Sequence, residues 1–381
     1  MEGASRVAEE VAKSDSGEYR YTTEERLSGF VAAILAQNGV DAEDGAIVGR
    51  ILTAGDLRGI ESHGVARLEP YYVNRLRTGV LNPRPKARTL RETASSLSVD
   101  GENGLGHPVA YRTMQAVIEK ARQSGNAFAT VRNSNHFGIA GFYAMMALEH
   151  DMIGVASTNS VRYGAPTFGR SLMLGTNPLA FAIPAAAEPH FVLDFATTTV
   201  PRGKIEVYKR RGQTLRTGWA IDAEGRPTTD PDAALRGALL PLGGYGTEHG
   251  GHKGYGLGLL VDLLCGVLSG GLFAESLPLP SAPLQGGAIS HFFGAIRIDG
   301  FRDPAEFKRD VEGALTQFKM SAKAPDCERI YVPGEIEYEK TLAYRASGIP
   351  IHAKVWSTLE ALAREFSVPF TLAASSTAPV K

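Results

Sequence analysis

The sequence predicts an α/β fold in which a helical N-terminal region precedes a larger α/β part. Three observations carry this reading. Residues 21–80 place apolar side chains at helical spacing between capping and breaking signals. From about residue 90, short runs rich in Val, Ile, Ala and Phe alternate with amphipathic stretches. The composition is that of an ordinary globular chain: 381 residues, 43% apolar and 21% charged. That length suits roughly two to three domains with a substantial core.

The elements follow in order. Thr22 and Thr23 precede Glu24 and Glu25, a favourable N-terminal charge arrangement for a helix through about Gln37, which Asn38-Gly39 ends. Asp41 and Asp44 can cap a second helix to about Leu57. Ser62 can cap a third, carrying Val65, Leu68, Tyr72 and Leu76 and stopping near Gly79. Pro83 and Pro85 mark a crossing segment. A strand is expected at Ser95–Val99 and a helix at His107–Gln123, whose stripe is Ala110, Met114, Val117, Ile118 and Ala121. Then come a strand at Ala127–Val131, a helix at Ile139–Glu149, and strands at Ile153–Thr158, Leu179–Ile183 and Phe191–Leu193. A long helix starts near Lys253. A β-rich stretch covers Ile289–Ile298, a helix Pro304–Met320, and a strand Arg329–Val332. Helices near Ile336–Tyr344 and Lys354–Glu365 close the pattern. Residues 1–20 read as a flexible polar lead and 371–381 as a flexible tail.

Charge and cysteine content exclude several classes. The 40 basic and 41 acidic residues give a net charge of −1. This argues against a nucleic-acid surface driven by phosphate contacts and against a polybasic membrane binder. Cys265 and Cys327 cannot form a disulfide framework, so a reducing cytoplasm is the expected location. The N-terminus reads as no signal peptide, because acidic residues replace an apolar core. Gly254–Ala274 is apolar and about long enough to span a bilayer, but Asp262 lies near its middle and no basic flank orients it. It is read as a buried helix.

Familiar cofactor motifs are missing. Neither Gly101–Gly106 nor Gly254–Gly258 reproduces G-x-G-x-x-G, and Gly246–Gly254 is not a P-loop. No G-x-S-x-G elbow is present. Four polar clusters remain. In the first, Ser62-His63-Gly64-Val65-Ala66-Arg67 with Tyr71, helical spacing would put His63, Arg67 and Tyr71 on one face. That set suits a small carboxylate beside a hydroxyl or carbonyl, since a guanidinium forks onto a carboxylate. A capped helix with a solvated basic face is the plainer alternative. The second, Asn133-Ser134-Asn135-His136-Phe137-Gly138, falls between a strand and a helix, where α/β proteins place catalytic groups. Its imidazole can cycle protons near neutral pH, or it can be an N-cap with a structural histidine. The third runs through Ser157–Ser160, Gly175–Pro178 and Asp194–Thr197, whose hydroxyls and amides can line a ribose or phosphate groove or form ordinary turns. The fourth, His249–Gly256, puts Lys253 at a helix start with glycines, an anion site in waiting. His249 and His252 could instead bind a metal, although no cysteine or carboxylate accompanies them at a familiar spacing.

Taken together, these clusters resemble the malate/L-lactate dehydrogenases that are not of the Rossmann type. Relatives in that family include ureidoglycolate and sulfolactate dehydrogenases, diketogulonate reductase and piperideine-2-carboxylate reductase. The matching segments are DLRGIESHGVARL, GENGLGH, NSNHFGIAGFYA, STNS, GTNPLAFAIP, VLDFATTT, GGHKGYGLGLLVDLLCGVLSGG and VPGE, from about residue 22 to 345. The resemblance implies a sulfolactate-dehydrogenase-like fold: residues 21–90 as a helical N-terminal domain, 91–330 as an α/β domain carrying a non-Rossmann nicotinamide-binding insertion, and 331–370 returning to the N-terminal domain. It implies NAD or NADP as cofactor, a homodimer, and active sites near the subunit contact. His136 matches a histidine assigned as proton acceptor in the ureidoglycolate branch, and His63 one assigned as proton donor in the diketogulonate-reductase branch. Ser62, Arg67 and Tyr71 match substrate positions. Ser160, Asp194, Phe195, Ala196, Lys253, Pro333, Gly334 and Glu335 match cofactor contacts. The chain departs from the family pattern after Ser160, where Val161-Arg162-Tyr163 replaces small or proline-rich residues.

The expected reaction moves a hydride between nicotinamide and C2 of a small 2-hydroxy or 2-oxo acid, with no metal. His136 or His63 would handle the proton, Arg67 the carboxylate and Lys253 a phosphate. A cyclic imine carboxylate or a diketo sugar acid is an alternative substrate. Two other classes stand beside it: a metal-dependent lyase or hydrolase using His249, His252 and His291, and a catalytically silent dinucleotide-binding protein.

Overall fold

The computed structural model describes residues 18–283 and 285–373. The chain opens with strand β1 (Tyr19–Thr22) and helices α1 (Glu24–Gln37) and α2 (Ala42–Leu57), and after a run of short turns reaches α3 (Asn74–Arg77). Strands β2 (Arg88–Glu92) and β3 (Ser96–Asp100), helix α4 (Gly106–Ser124), strand β4 (Asn126–Ser134) and helix α5 (Ala140–Met145) follow. Next come β5 (Met152–Thr158), β6 (Leu179–Ile183) and β7 (Phe191–Phe195). A segment of small elements holds α6 (Arg202–Arg210), β8 (Ala220–Ile221), β9 (Pro227–Thr228), α7 (Pro231–Arg236) and β10 (Ala238–Leu239). The chain ends with α8 (Gly251–Asp262), β11 (Ile289–Arg297), α9 (Pro304–Met320), α10 (Glu335–Ser347), β12 (Ile349–His352) and α11 (Ala353–Glu365).

Among the described residues the main sheet has seven strands in the order β2-β3-β4-β11-β5-β6-β7. Only β3 and β4 run parallel, and α4 is their crossover, as a parallel pair requires. The expected stripe of α4 is buried without exception, from Ala110 to Ala121, in one cluster with Val99, Val131 and Phe293 of the sheet. Strand β11 arrives late in the chain and inserts between β4 and β5, pairing His291 with Val131 on one side and Thr158 on the other.

A second core joins the two ends of the chain. Leu27, Val31, Ile34 and Leu35 of α1 bury against Val48 and Leu52 of α2 and against Trp356, Leu359 and Leu362 of α11. Strand β1 pairs antiparallel with β12, from Tyr19 opposite His352 to Thr22 opposite Ile349. The Thr23 hydroxyl accepts the Arg26 N–H at the start of α1, with Glu24 and Glu25 in the first turn as expected. A third, smaller cluster of Val200, Ile205, Leu215, Trp219 and Leu239 holds the segment of α6 to β10 together.

Several expectations need correction. The third helix is not a regular α-helix: Glu61–His63 and Val65–Arg67 are 3₁₀ turns and Leu68–Val73 is a π turn, with α3 only at the end. Gly64 breaks the run because its extended backbone lies against the Asp56 carboxylate, which accepts the Val65 N–H. Helix 139–149 ends at Met145 and resumes as a 3₁₀ turn at Leu148–His150. The long helix is α8 plus a π turn at Leu263–Val267, and it is not buried throughout: Leu260, Leu263 and Val267 are exposed, and Leu268 is 61% exposed. No strand forms at 329–332, because Arg329 and the Val332 N–H turn onto the Glu335 carboxylate instead of a ladder. Asp194 and Phe195, read as turn residues, lie within β7 opposite Ala180 and Leu179. The polar lead yields a strand from Tyr19; residues 1–17 lie outside the described residues. The tail is anchored at its start, with Leu372 fully buried in the first core, and 374–381 lie outside the described residues. Strand β2 escaped notice because all five residues are exposed and nothing alternates.

Candidate active site

The turn between β4 and α5 is held by its asparagines. The Asn135 amide donates to the Asn103 side chain and the Gly104 carbonyl, and its oxygen accepts the Gly287 N–H. Asn133, at φ 52°, donates to Asp100. Phe137 stacks on His291 with ring centroids 4.6 Å apart, and His291 spends both ring nitrogens on Thr158 and Ser134. Gly106, at the start of α4, lies directly against the backbone of Asn135 and His136. The histidine of this turn is therefore presented by a rigid seat rather than by a loose loop.

Two imidazoles meet here. His63 stacks on His136 with centroids 5.5 Å apart and planes 22° apart. The Tyr71 ring stands edge-on to His136 at 5.1 Å. Arg67 lies over Tyr71 at 4.8 Å, and Arg75 approaches the same ring at 5.4 Å. Ser62 does not cap a helix; its hydroxyl lies 2.9 Å from His63 Nδ1, and its carbonyl accepts the Arg67 Nε–H. Among the described residues neither Arg67 nor Arg75 has a carboxylate partner. Helical spacing put His63, Arg67 and Tyr71 on one face; the broken turns bring them together by another route.

Burial sets the charge state of this cluster. The surrounding protein pushes His63 down to about 4, with the Arg67 guanidinium adding to the effect. His136 is driven well below the ordinary histidine value by desolvation, then by His63, His107, Arg67 and Arg75. Both rings are thus neutral at pH 7. The Tyr72 hydroxyl lies 2.5 Å from His136 Nδ1, and the Gly138 N–H faces the same nitrogen at 3.4 Å. Among the described residues His136 Nε2 has no protein partner. Asp56 anchors the His63 segment through Val65 and, being buried, is pushed up to about 8.

The residues matched to cofactor contacts form a connected stretch. The Ser160 hydroxyl accepts the Thr176 N–H, and the Thr176 carbonyl accepts from Thr197 just beyond β7. The Asp194 carboxylate accepts the Gly141 N–H in the first turn of α5, one turn after His136. The Val192 N–H donates to the Pro333 carbonyl, which lays the Pro333–Gly334 turn against β7 at Val192. Gly334 sits at φ 90° and lies tight against Val192, a position that tolerates only glycine. Glu335, 1% exposed, takes Lys319 and Arg329 and the Val332 N–H, so its carboxylate holds the turn from inside. Gly250 starts α8 in the left-handed region with no side-chain cap, and Lys253 is exposed on its first turn. These donors fit a dinucleotide: an uncapped helix start with a lysine for phosphate, hydroxyls and backbone for ribose. Neither Lys253 nor Glu335 shares a hydrogen bond or ion pair with the imidazole pair among the described residues.

Two members of the site were not singled out as functional. Tyr72 was read as core, which it is, but its hydroxyl reaches His136. His107 is fully buried beneath Tyr72 at 4.9 Å, pushed down to about 3 by burial, with no partner on either nitrogen among the described residues. A doubled tyrosine beside an Arg and a histidine within GENGLGH were the available signals. Among the described residues no three His, Cys, Asp or Glu side chains gather as a metal site, so His249 and His252 gain no third ligand, and His291 is spent inside the sheet.

The model of the malate/L-lactate dehydrogenase family matches residues 22–360. The malate dehydrogenase of Pyrococcus horikoshii is 44% identical over 351 residues, covering 92% of this chain and 96% of that protein. Its solved structure superposes with a TM-score of 0.84 at 42% identity, over 92% of this chain and 97% of that one. The solved sulfolactate dehydrogenase of Methanocaldococcus jannaschii gives 0.84 at 34% identity, over 92% and 98%. The ureidoglycolate dehydrogenase (NAD(+)) of Escherichia coli O157:H7 is 30% identical over 336 residues, covering 88% of this chain and 93% of that protein.

Proposed function

The chain belongs to the malate/L-lactate dehydrogenase family, and from that premise we propose that it is an oxidoreductase of small 2-hydroxy and 2-oxo acids using NAD or NADP. The observation that carries this reading is the stacked, uncharged His63–His136 pair beside an Arg67 that has no carboxylate partner among the described residues. Bound nicotinamide supplies the two-electron acceptor or donor. All other steps fall to the chain's own side chains.

His136 is the acid–base. Its neutral form is the one that can take a hydroxyl proton, and its free Nε2 is the nitrogen to do so. In the reduction direction the imidazolium returns that proton to the developing alkoxide. Arg67 holds the substrate carboxylate through the guanidinium N–H groups that the Ser62 carbonyl leaves free, and the Tyr71 ring braces it. His63, held at Nδ1 by Ser62, hydrogen-bonds the substrate oxygen. Positioning of this kind is worth about 7–11 kcal/mol of a barrier, more than the proton step alone. Lys253 and the start of α8 take the cofactor phosphates. Ser160, the Asp194–Ala196 stretch and the Pro333–Glu335 turn line the rest of the groove.

The working unit is a homodimer. The exposed Leu260, Leu263, Val267 and Leu268 on α8 and its π turn support this, since such a patch seeks a partner. A cytoplasmic location is supported by two free cysteines, Cys265 buried and Cys327 exposed. Among the described residues no helix is long and apolar enough to cross a membrane.

The experiment is a panel of 2-hydroxy and 2-oxo acids, with a cyclic imine carboxylate and a diketo sugar acid. Nicotinamide absorbance would be followed with both cofactors in both directions. Turnover of at least one 2-hydroxy acid is expected, and it should survive chelation. Silence across the panel would reject the activity, and loss on chelation would favour the metal-dependent class. Light scattering coupled to size exclusion tests the dimer.

A further inference from the structure

We propose that Tyr72 is a positioning residue that sets the tautomer of His136, its phenol oxygen accepting from Nδ1–H so that the Nε2 lone pair faces the substrate. This rests on His136 being the acid–base of the proposed reaction.

Two groups contact Nδ1: one can only donate, and the other, with no further partner among the described residues, can donate or accept. The Gly138 backbone N–H, at 3.4 Å, can only donate. Acting alone it would require a lone pair on Nδ1 and would leave the ring proton on Nε2. That tautomer cannot take a proton from a substrate hydroxyl at Nε2. A phenol hydroxyl can accept as well as donate, and Tyr72 sits at the shorter distance of 2.5 Å. With Nδ1–H given to Tyr72, the Nε2 lone pair is open. When Nε2 takes the substrate proton, the imidazolium keeps Nδ1–H on the same oxygen. When the imidazolium gives the proton back, the bond at Nδ1 again persists. Tyr72 neither loses nor gains a proton in either direction. Burial raises its own ionisation well above 10, which keeps the phenol neutral throughout.

The fold delivers this hydroxyl without a choice of rotamers open to solvent. Tyr72 is 1% exposed and packs in the core shared by α1, α2 and α11. Its hydroxyl has no other partner among the described residues. The π turn at Leu68–Val73 explains how neighbouring Tyr71 and Tyr72 both reach one ring. In an α-helix successive residues point ~100° apart, and the wider π turn narrows that angle. The titratable and charged groups facing His136 are His63, His107, Tyr71, Tyr72, Arg67 and Arg75. Of these, only Tyr72 hydrogen-bonds the ring.

The test is Tyr72→Phe together with ¹⁵N-histidine NMR of the protein without ligands. In the wild type the His136 signals should report Nδ1–H, and in the variant Nε2–H. Turnover should fall about ten- to hundredfold, the range for losing a hydrogen bond to an ion, with substrate KM and cofactor affinity unchanged. The acidic limb of kcat/KM should move down by about one to two pH units, because the imidazolium loses its acceptor. A merely structural tyrosine would change thermal stability and leave that limb in place. An Nε2–H ring in the wild type overturns the proposal by itself, and it needs no variant to fold. An unmoved pH limb in a folded Tyr72→Phe protein overturns it as well. Full turnover in His136→Asn would instead remove the acid–base reading, and this proposal with it.

Discussion

Gly106→Ala is the sharpest test of how the fold seats the proposed proton-transfer group. Gly106 opens α4 without a positive φ, so alanine is conformationally welcome there and backbone entropy favours it by up to ~1 kcal/mol. The obstacle is steric. A methyl group at this position would stand 2.6 Å from the His136 carbonyl oxygen and 2.8 Å from its carbon, and closer still to the Asn135 carbonyl oxygen. All three are backbone atoms, which cannot rotate aside. Either α4 or the His136 turn must retreat by about 1 Å, a displacement that costs on the order of 10²-fold in rate when it falls on a reacting group. Overpacking of this kind costs about 1–3 kcal/mol, so with an entropic gain of ~1 kcal/mol the net loss of stability should be about 0–2 kcal/mol. The assay is kcat by nicotinamide absorbance, with denaturant unfolding and cofactor titration alongside. Gly313→Ala is the control: it lies inside α9 with open space around its Cβ, and should stabilise by about 1 kcal/mol with activity intact. A Gly106→Ala enzyme with wild-type kcat and raised stability would refute the seat.

Three further outcomes follow from the same geometry. Arg67→Lys should raise substrate KM and lower kcat, each by tenfold or more, because an ammonium cannot fork onto a carboxylate; steady-state kinetics with unchanged KM would reject the clamp. Lys253→Ala should weaken NADH or NADPH binding about tenfold in a fluorescence titration while leaving thermal stability unchanged, and retained affinity would contradict the phosphate role. Asp56, pushed up to about 8, keeps its proton in the folded protein over a range in which the unfolded chain has lost it. Wild-type stability therefore falls as pH rises from about 4 to about 8, and Asp56→Asn should remove that slope. The Tm advantage of the variant should be larger at pH 8 than at pH 5; an equal difference at both would show that Asp56 is ionised when folded.

Much of the candidate site is legible in the sequence, and what is not has a common cause. His63, Arg67, Tyr71 and His136 were readable because each sits in a dense polar run among glycines, and the structure brings them within ring contact. The reason first given for grouping them, one face of an α-helix, does not hold, since the segment is 3₁₀ and π. Tyr72 matched the apolar spacing of a core position, and that match hid a hydroxyl aimed at a residue 64 positions away. Glu335 enters the sequence reading only through the resemblance, as a cofactor contact, and is an almost fully buried carboxylate between two cations. A strand is expected at 329–332, but that carboxylate claims its backbone.

By itself the amino-acid order determined what depends on neighbours along the chain. It set the start of α1 at Thr23, the buried stripe of α4, the alternation that makes the chain α/β, and the clusters that mark its family. Capping, periodicity and local charge act over one or two turns, so they can be read in a line. The tertiary structure alone decided that β11 enters between β4 and β5, that β12 returns to pair with β1, and that a core tyrosine grips His136. Those outcomes turn on burying area and pairing backbone groups across long loops, where many partners are chemically equivalent until packing selects one.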